Sequence, residues 1–201
     1  LQVRRQSLRT LANAVRTFPD EPTLAGLSCM IHPTNSDDDS FENLIHIQMH
    51  RQARAIRKFA QHICPSRYPD AEVSGDEAIP RSSAIRYLLP FVVQTVYTVE
   101  VRKDSGYYHD ACYELVKSIC AVMTWSQLKR FLIRMCKSIE TKKFALEILK
   151  AALDAFPFDL SLADDDEVAG DEKTPQQVVD ADDDEKQVGY VNSFMFVLFC
   201  D

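Results

Sequence analysis

His46 and His50 stand four residues apart in a stretch with helical spacing, and two imidazoles so placed on one helix face can chelate zinc. The residues between them, Ile47-Gln48-Met49, lack the glutamate that a metalloprotease uses as its base. No third ligand follows at a suggestive distance, and His109 with Cys112 forms only an isolated H-x-x-C. His46 is therefore expected to cap or hydrogen-bond at a helix start, and no metal site is expected. The six cysteines are widely spaced without a C-x-x-C pair, which favours a reducing, intracellular compartment. Cys112, Cys120 and Cys136 fall in apolar helical patterns, where a thiolate is disfavoured. There is no G-x-S-x-G, no phosphate-binding P-loop and no G-x-G-x-x-G. The chain thus reads as non-catalytic, with neither cofactor nor small-molecule substrate.

What remains is charge. Arg51, Arg54, Arg57 and Lys58 lie within one expected helix, Phe41 to Cys64. Ile45, Met49, Ala53, Ile56, Ala60 and Ile63 recur there every three or four residues and form an apolar stripe. Arg51, Arg54 and Lys58 fall opposite that stripe, with Arg57 on its flank. Such a row reads in two ways. It can neutralise RNA phosphates, releasing counterions and making binding salt-sensitive, or it can be an ordinary solvated helix face. No aromatic is interleaved to stack bases, so backbone and shape are what it would read.

The elements that position this row read as all-α. Glycine is scarce, at 5 in 201 residues, which argues against a chain of tight turns, while 46% apolar residues allow a real core. Residues 1–18 read as a helix whose Arg4, Arg5, Arg9 and Arg16 face no acid, ended by Pro19 and Pro22. Residues 19–40 read as a flexible, acidic linker whose aspartates favour the start of the next helix. A loop is expected over 65–83, then a helix over 84–101 kinked by Pro90. Further helices follow over 107–123, from a capping box at Thr124–Gln127 to Ile139, and over 141–156. Their expected seams are Tyr108, Ala111, Cys112, Leu115, Ile119 and Val122; then Leu128, Phe131, Leu132, Met135 and Ile139; then Ala145, Leu149, Ala152, Leu153 and Phe156. Trp125 is expected to wedge between helices. Antiparallel pairs joined by short turns over 41–159 have the form of a HEAT-like α-solenoid, whose repeats run roughly 40 residues. With no initiator Met at its start, the chain reads as a piece of a longer one that needs neighbours at both ends.

Between Ser161 and Lys186 stand 11 acidic against 2 basic residues, a local charge of −9 that leaves +2 for everything else in a chain of net −7. The tail 160–201 is thus expected to be an acidic, disordered segment. Its apolar end, Phe194 to Cys200, is far shorter than the roughly 20 residues of a spanning helix, and no membrane contact is expected. That end reads as an unpaired strand or the product of a misread gene, and no role is assigned to it.

The segments HIQMHRQARAIRKFA (46–60), AVMTWSQLKRFLIRM (121–135) and LEILKAALDAFPFD (146–159) resemble, in order and spacing, a very large nucleolar HEAT-repeat family. It is the family of component 20 of the small-subunit processome, "down-regulated in metastasis". The similarity covers roughly Phe41 to Asp159. It implies an α-solenoid scaffold in the nucleus and nucleolus. Its partners would be a pre-ribosomal ribonucleoprotein: small nucleolar RNA, pre-rRNA and other processome proteins. Gln52 departs from the pattern, standing where the family tends to carry another arginine. The loop 65–83 is diverged, and past Asp159 only the acidic character is shared. An alternative reading is a generic α-solenoid adaptor that grips peptides, as transport receptors do.

Overall fold

A computed structural model describes residues 2–71, 73, 77–98, 106–140, 142 and 144–158. Among these the chain is helical and contains no strand. The acidic tail over 160–201, with its apolar end, lies outside the described residues. The elements in order are α1 (Gln2–Thr17), α2 (Pro22–Ala25), α3 (Ser40–Ile45), α4 (Met49–Ile63), α5 (Arg81–Ser83), α6 (Leu89–Thr98), α7 (Gly106–Ala121), α8 (Trp125–Ser138) and α9 (Ala145–Ala155). No described helix is long and apolar enough to cross a membrane.

The middle of the molecule is α7. Tyr108, Ala111, Cys112, Leu115, Val116, Ile119 and Cys120 are all buried, and the helix packs against α4, α6 and α9. Burial disfavours the thiolate, and both the Cys112 and Cys120 thiols are pushed up to about 12. Val122, expected inward, lies just past the end of the helix and is half-buried. Around this axis, α3 packs on α4, α8 on α9, and α1 on α3.

The expected single helix over 41–64 is two. α3 stops at His46 and α4 starts after Gln48, because local side chains satisfy the backbone groups that a continuous helix would use. The His46 ring Nδ1 accepts from the Gln48 amide at 3.1 Å, and the Gln52 side chain donates to the His46 carbonyl. Ile47 projects into solvent at the break. The apolar stripe survives in α4 and is wider than read: Ala55 and Phe59 are buried with Ala53, Ile56, Ala60 and Ile63, while Ile45 and Met49 are half-buried. Phe59 meets Phe41 of α3 edge to face, with ring centroids 5.4 Å apart.

Residues 19–40 are no flexible connector. They fold into α2 and a 3₁₀ turn (Ser28–Met30) and bury Leu24, Leu27 and Met30 in the core. Asp39 does cap α3, accepting from the Glu42 amide at 3.0 Å. Its second oxygen takes a 2.8 Å ion pair from Arg16, so that cation is opposed after all. Along 81–98 the expected kink takes the form of a π turn over Ala84–Leu88, in which the Leu89 amide donates to the Ala84 carbonyl. In a regular helix the Pro90 ring would collide with the carbonyl four residues earlier, and the wide turn stands at that place.

The capping box is as expected: Thr124 Oγ accepts from the Gln127 amide, and Gln127 Oε1 accepts from the Thr124 amide. Leu128, Phe131 and Met135 form the buried seam of α8, but Ile139 and Cys136 face solvent. In α9 the seam is rotated. Ile148, Ala151 and Ala155 join Ala145 and Ala152 in the interior, Leu149 and Phe156 are half-buried, and Leu153 is exposed. The helix begins only after Phe144, whose left-handed φ of 71° breaks the expected run from residue 141. Trp125 is no wedge; it lies on the surface, 54% exposed, with Phe156 and Phe158 at ring separations of 6.1 and 6.2 Å.

Two predictions come from this packing. A Cβ added at Gly26 would stand 2.0 Å from Pro80 Cδ, and a proline ring cannot swing aside. Gly26→Ala should therefore cost about 1–3 kcal/mol in urea unfolding. His109 is buried against Phe144 and Tyr113 with neither ring nitrogen hydrogen-bonded among the described residues. Burial holds its pKa below the ordinary 6.5 against the upward pull of Asp110. Because the unfolded chain takes up that proton first, stability should fall as the pH drops below 6.5. Melting curves of His109→Phe should show a shallower acid loss than the native chain.

Candidate functional site

The four cations of α4 do not form one row. Arg51 is turned back onto the α3–α4 junction, where its Nε donates to Asn43 Oδ1 at 2.8 Å. Its other nitrogens reach His46 Nε2 at 3.3 Å and the Asp37 carboxylate. Asn43 in turn donates to the carbonyls of Asp37 and Asp39 at 2.7 and 2.9 Å. Arg51 is thus a clamp on the chain entering α3. A periodicity argument places it on the outer face correctly but says nothing of partners that lie in the preceding segment.

Arg54, Arg57 and Lys58 stand together on an open groove of about 610 Å³. Its wall is α4 from His50 to His62; its far side is Tyr107, at the start of α7, with Ala71 and Val73 from the loop after α4. The loop is held there by a hydrogen bond of 3.0 Å between His62 Nδ1 and the Glu77 carbonyl and by the Ile79 amide, which donates to the His62 carbonyl at 2.8 Å. Arg57 is partly spoken for: its Nε pairs with Glu114 of α7 at 3.0 Å and a terminal nitrogen donates to the Tyr107 carbonyl at 3.3 Å. Both members of that pair are about 40% exposed, so it orients the guanidinium more than it stabilises the fold. Arg54 is exposed, Lys58 half-buried, and neither forms an ion pair among the described residues.

Tyr107 was not legible. It is an aromatic brought beside the cations from a separate helix, so the expectation that no ring accompanies them fails in three dimensions. Tyr107 is 39% exposed and is one of the residues that line the groove, which puts an aromatic residue beside the cations. Only the packing of α4 against α7 creates that neighbourhood.

The histidine pair fares differently. With a break at 46–48, His46 ends α3 while His50 lies in the first turn of α4, and the four-residue spacing no longer puts both rings on one helix face. His46 instead bonds at the helix start, as expected of it. No group of three or more His, Cys, Asp or Glu able to hold a metal ion occurs among the described residues. The arrangement is one of fixed positive charge on a concave surface. It can attract anions.

The division of labour within α4 is open to measurement. Arg51→Glu should cost about 1–3 kcal/mol, because Asn43 Oδ1 would lose the donor that Arg51 supplies and the new carboxylate would face that of Asp37. Arg54→Glu, on the groove, should stay within about 0.5 kcal/mol of the native chain. Chemical denaturation of the two variants side by side checks this.

No family model matches the chain.

Proposed function

We propose that this protein is a non-catalytic scaffold of ribosome biogenesis, a section of a HEAT-like α-solenoid within the small-subunit processome. On this reading it works in the nucleolus. The groove of Arg54, Arg57 and Lys58 meets the phosphate backbone of pre-ribosomal RNA, with Tyr107 available to a base or ribose. The carrying observation is the convergence of three cations and one aromatic, from two helices, on one open surface. The resemblance of residues 46–60, 121–135 and 146–159 to the processome family supplies the ribonucleoprotein partner.

The solenoid reading draws support from the way helices gather on α7, and from the α8–α9 hairpin that packs beside it through α9. Stacked pairs of this kind leave a continuous surface for an extended partner, which suits a long RNA or a protein segment. The raised thiols of Cys112 and Cys120 fit a structural use of those residues.

The test uses Arg54→Glu with Lys58→Glu in the full protein, followed by sedimentation with pre-ribosomal particles across a salt series. Association should weaken in the variant. The dependence of log affinity on log salt should flatten by about 0.7 for each single-stranded phosphate that is no longer neutralised. RNA crosslinks should map to residues 54–58 in the native protein. A variant that sediments as the native chain does at every salt would leave the peptide-gripping adaptor as the better account.

A further inference from the structure

The α4 groove carries more than its three cations. His50 and Gln61 line the same surface, so His50, Arg54, Lys58 and Gln61 follow one another along α4 at steps of four, four and three residues. Such steps keep side chains on one face of a helix and advance them by about 5–6 Å each. From His50 to Gln61 the wall runs for about 16 Å. His50 and Arg54 are exposed, Lys58 and Gln61 half-buried, and none of the four forms an ion pair or a side-chain hydrogen bond among the described residues. No carboxylate lines the groove among the described residues, and Glu114 is engaged by Arg57.

A row of donors clear of acids, on one wall of a concave surface, suits a polyanion with regularly spaced charges. A nucleic acid strand offers one anion per nucleotide, and a wall of this length faces about three of them. The groove holds about 610 Å³. That is within the roughly 300–1,000 Å³ of sites that take one small organic molecule, and it admits a single strand lying along α4. A duplex keeps its bases paired and stacked inside and would meet only the rim. Proteins that read duplex RNA by shape spread over about 16 base pairs, far beyond the length of this wall. Tyr107, 39% exposed on the far side, is the residue type on which an unpaired base stacks.

We infer that the groove takes an unpaired segment of RNA, about three nucleotides long, with its phosphates along the α4 wall and a base on Tyr107. This rests on the reading of the groove as an RNA contact and names the class of RNA it takes. His50 and Gln61 then join Arg54, Arg57 and Lys58 as binding residues.

The test titrates the full protein against a short, labelled RNA of unstructured sequence and against the same RNA annealed to its complement, with fluorescence anisotropy as the readout. The single strand should bind at least about tenfold more tightly than the duplex. Tyr107→Ala should weaken single-strand binding about tenfold without changing its salt dependence, and Tyr107→Phe should bind as the native chain does. His50→Ala with Gln61→Ala should weaken it severalfold. Duplex binding as tight as that of the single strand, lost in Arg54→Glu with Lys58→Glu, would overturn the inference and leave the RNA contact standing. Single-strand binding indifferent to Tyr107→Ala would also overturn it. So would displacement of the RNA by a polyglutamate of equal charge at equal concentration, which would assign the groove to acidic protein segments. Binding of neither RNA would overturn the inference together with the reading beneath it.

Discussion

Everything in this molecule takes its place from the burial of α7. A helix of 16 residues with nine of them out of solvent cannot hold its conformation alone; α4, α6 and α9 must close around it. The contact with α4 is the most extensive of these, and it joins Ile56, Phe59 and Ala60 to the same interior. Fixing α4 against α7 also fixes what faces outward. Arg57 meets Glu114, and Tyr107 comes to the edge of the cationic groove only because the two helices are locked in this register.

Polar contacts then set where helices begin and end. Asp39 caps α3 and holds Arg16; Asn43 ties α3 to the segment before it; Arg51 closes the arrangement from α4. The buried Asp39 and Asn43 side chains in that cluster have partners, which is what allows groups of this polarity to sit at the margin of a core. The cost of the arrangement is one cation. A guanidinium that clamps Asp37 and Asn43 is not free for a ligand, so the α4 surface presents fewer charges to a partner than its composition implies.

Much of the architecture was legible because it follows from spacing along single elements. The capping box at Thr124, the buried seams of α7 and α8, and the apolar stripe of α4 all depend on residues within a turn or two of each other. The departures share a different cause. The break at His46–Gln48 is made by Gln52 reaching back across a gap, and helical periodicity continues through that gap undisturbed. The segment 19–40 looks solvated by composition, yet three large apolar side chains are enough to anchor it. α9 is turned by about one residue because alanines pack closely against α7, and the bulkier Leu153 is left outside. Of the candidate site, the cations were visible in the sequence. Their partition between clamp and groove, and the tyrosine beside them, were not, since both depend on contacts tens of residues distant.

The π turn before Pro90 carries a consequence for how this chain tolerates changes of length. Such a turn is a regular helix holding one surplus residue, and each residue advances a helix by about 100°. Removing a single residue between Ala84 and Leu88 would close the wide turn and spin Leu89–Thr98 about its axis relative to what precedes it. Phe91, Val92, Thr95 and Val96 would rotate away from α7 together. Phase, more than side-chain chemistry, is what that short stretch must preserve.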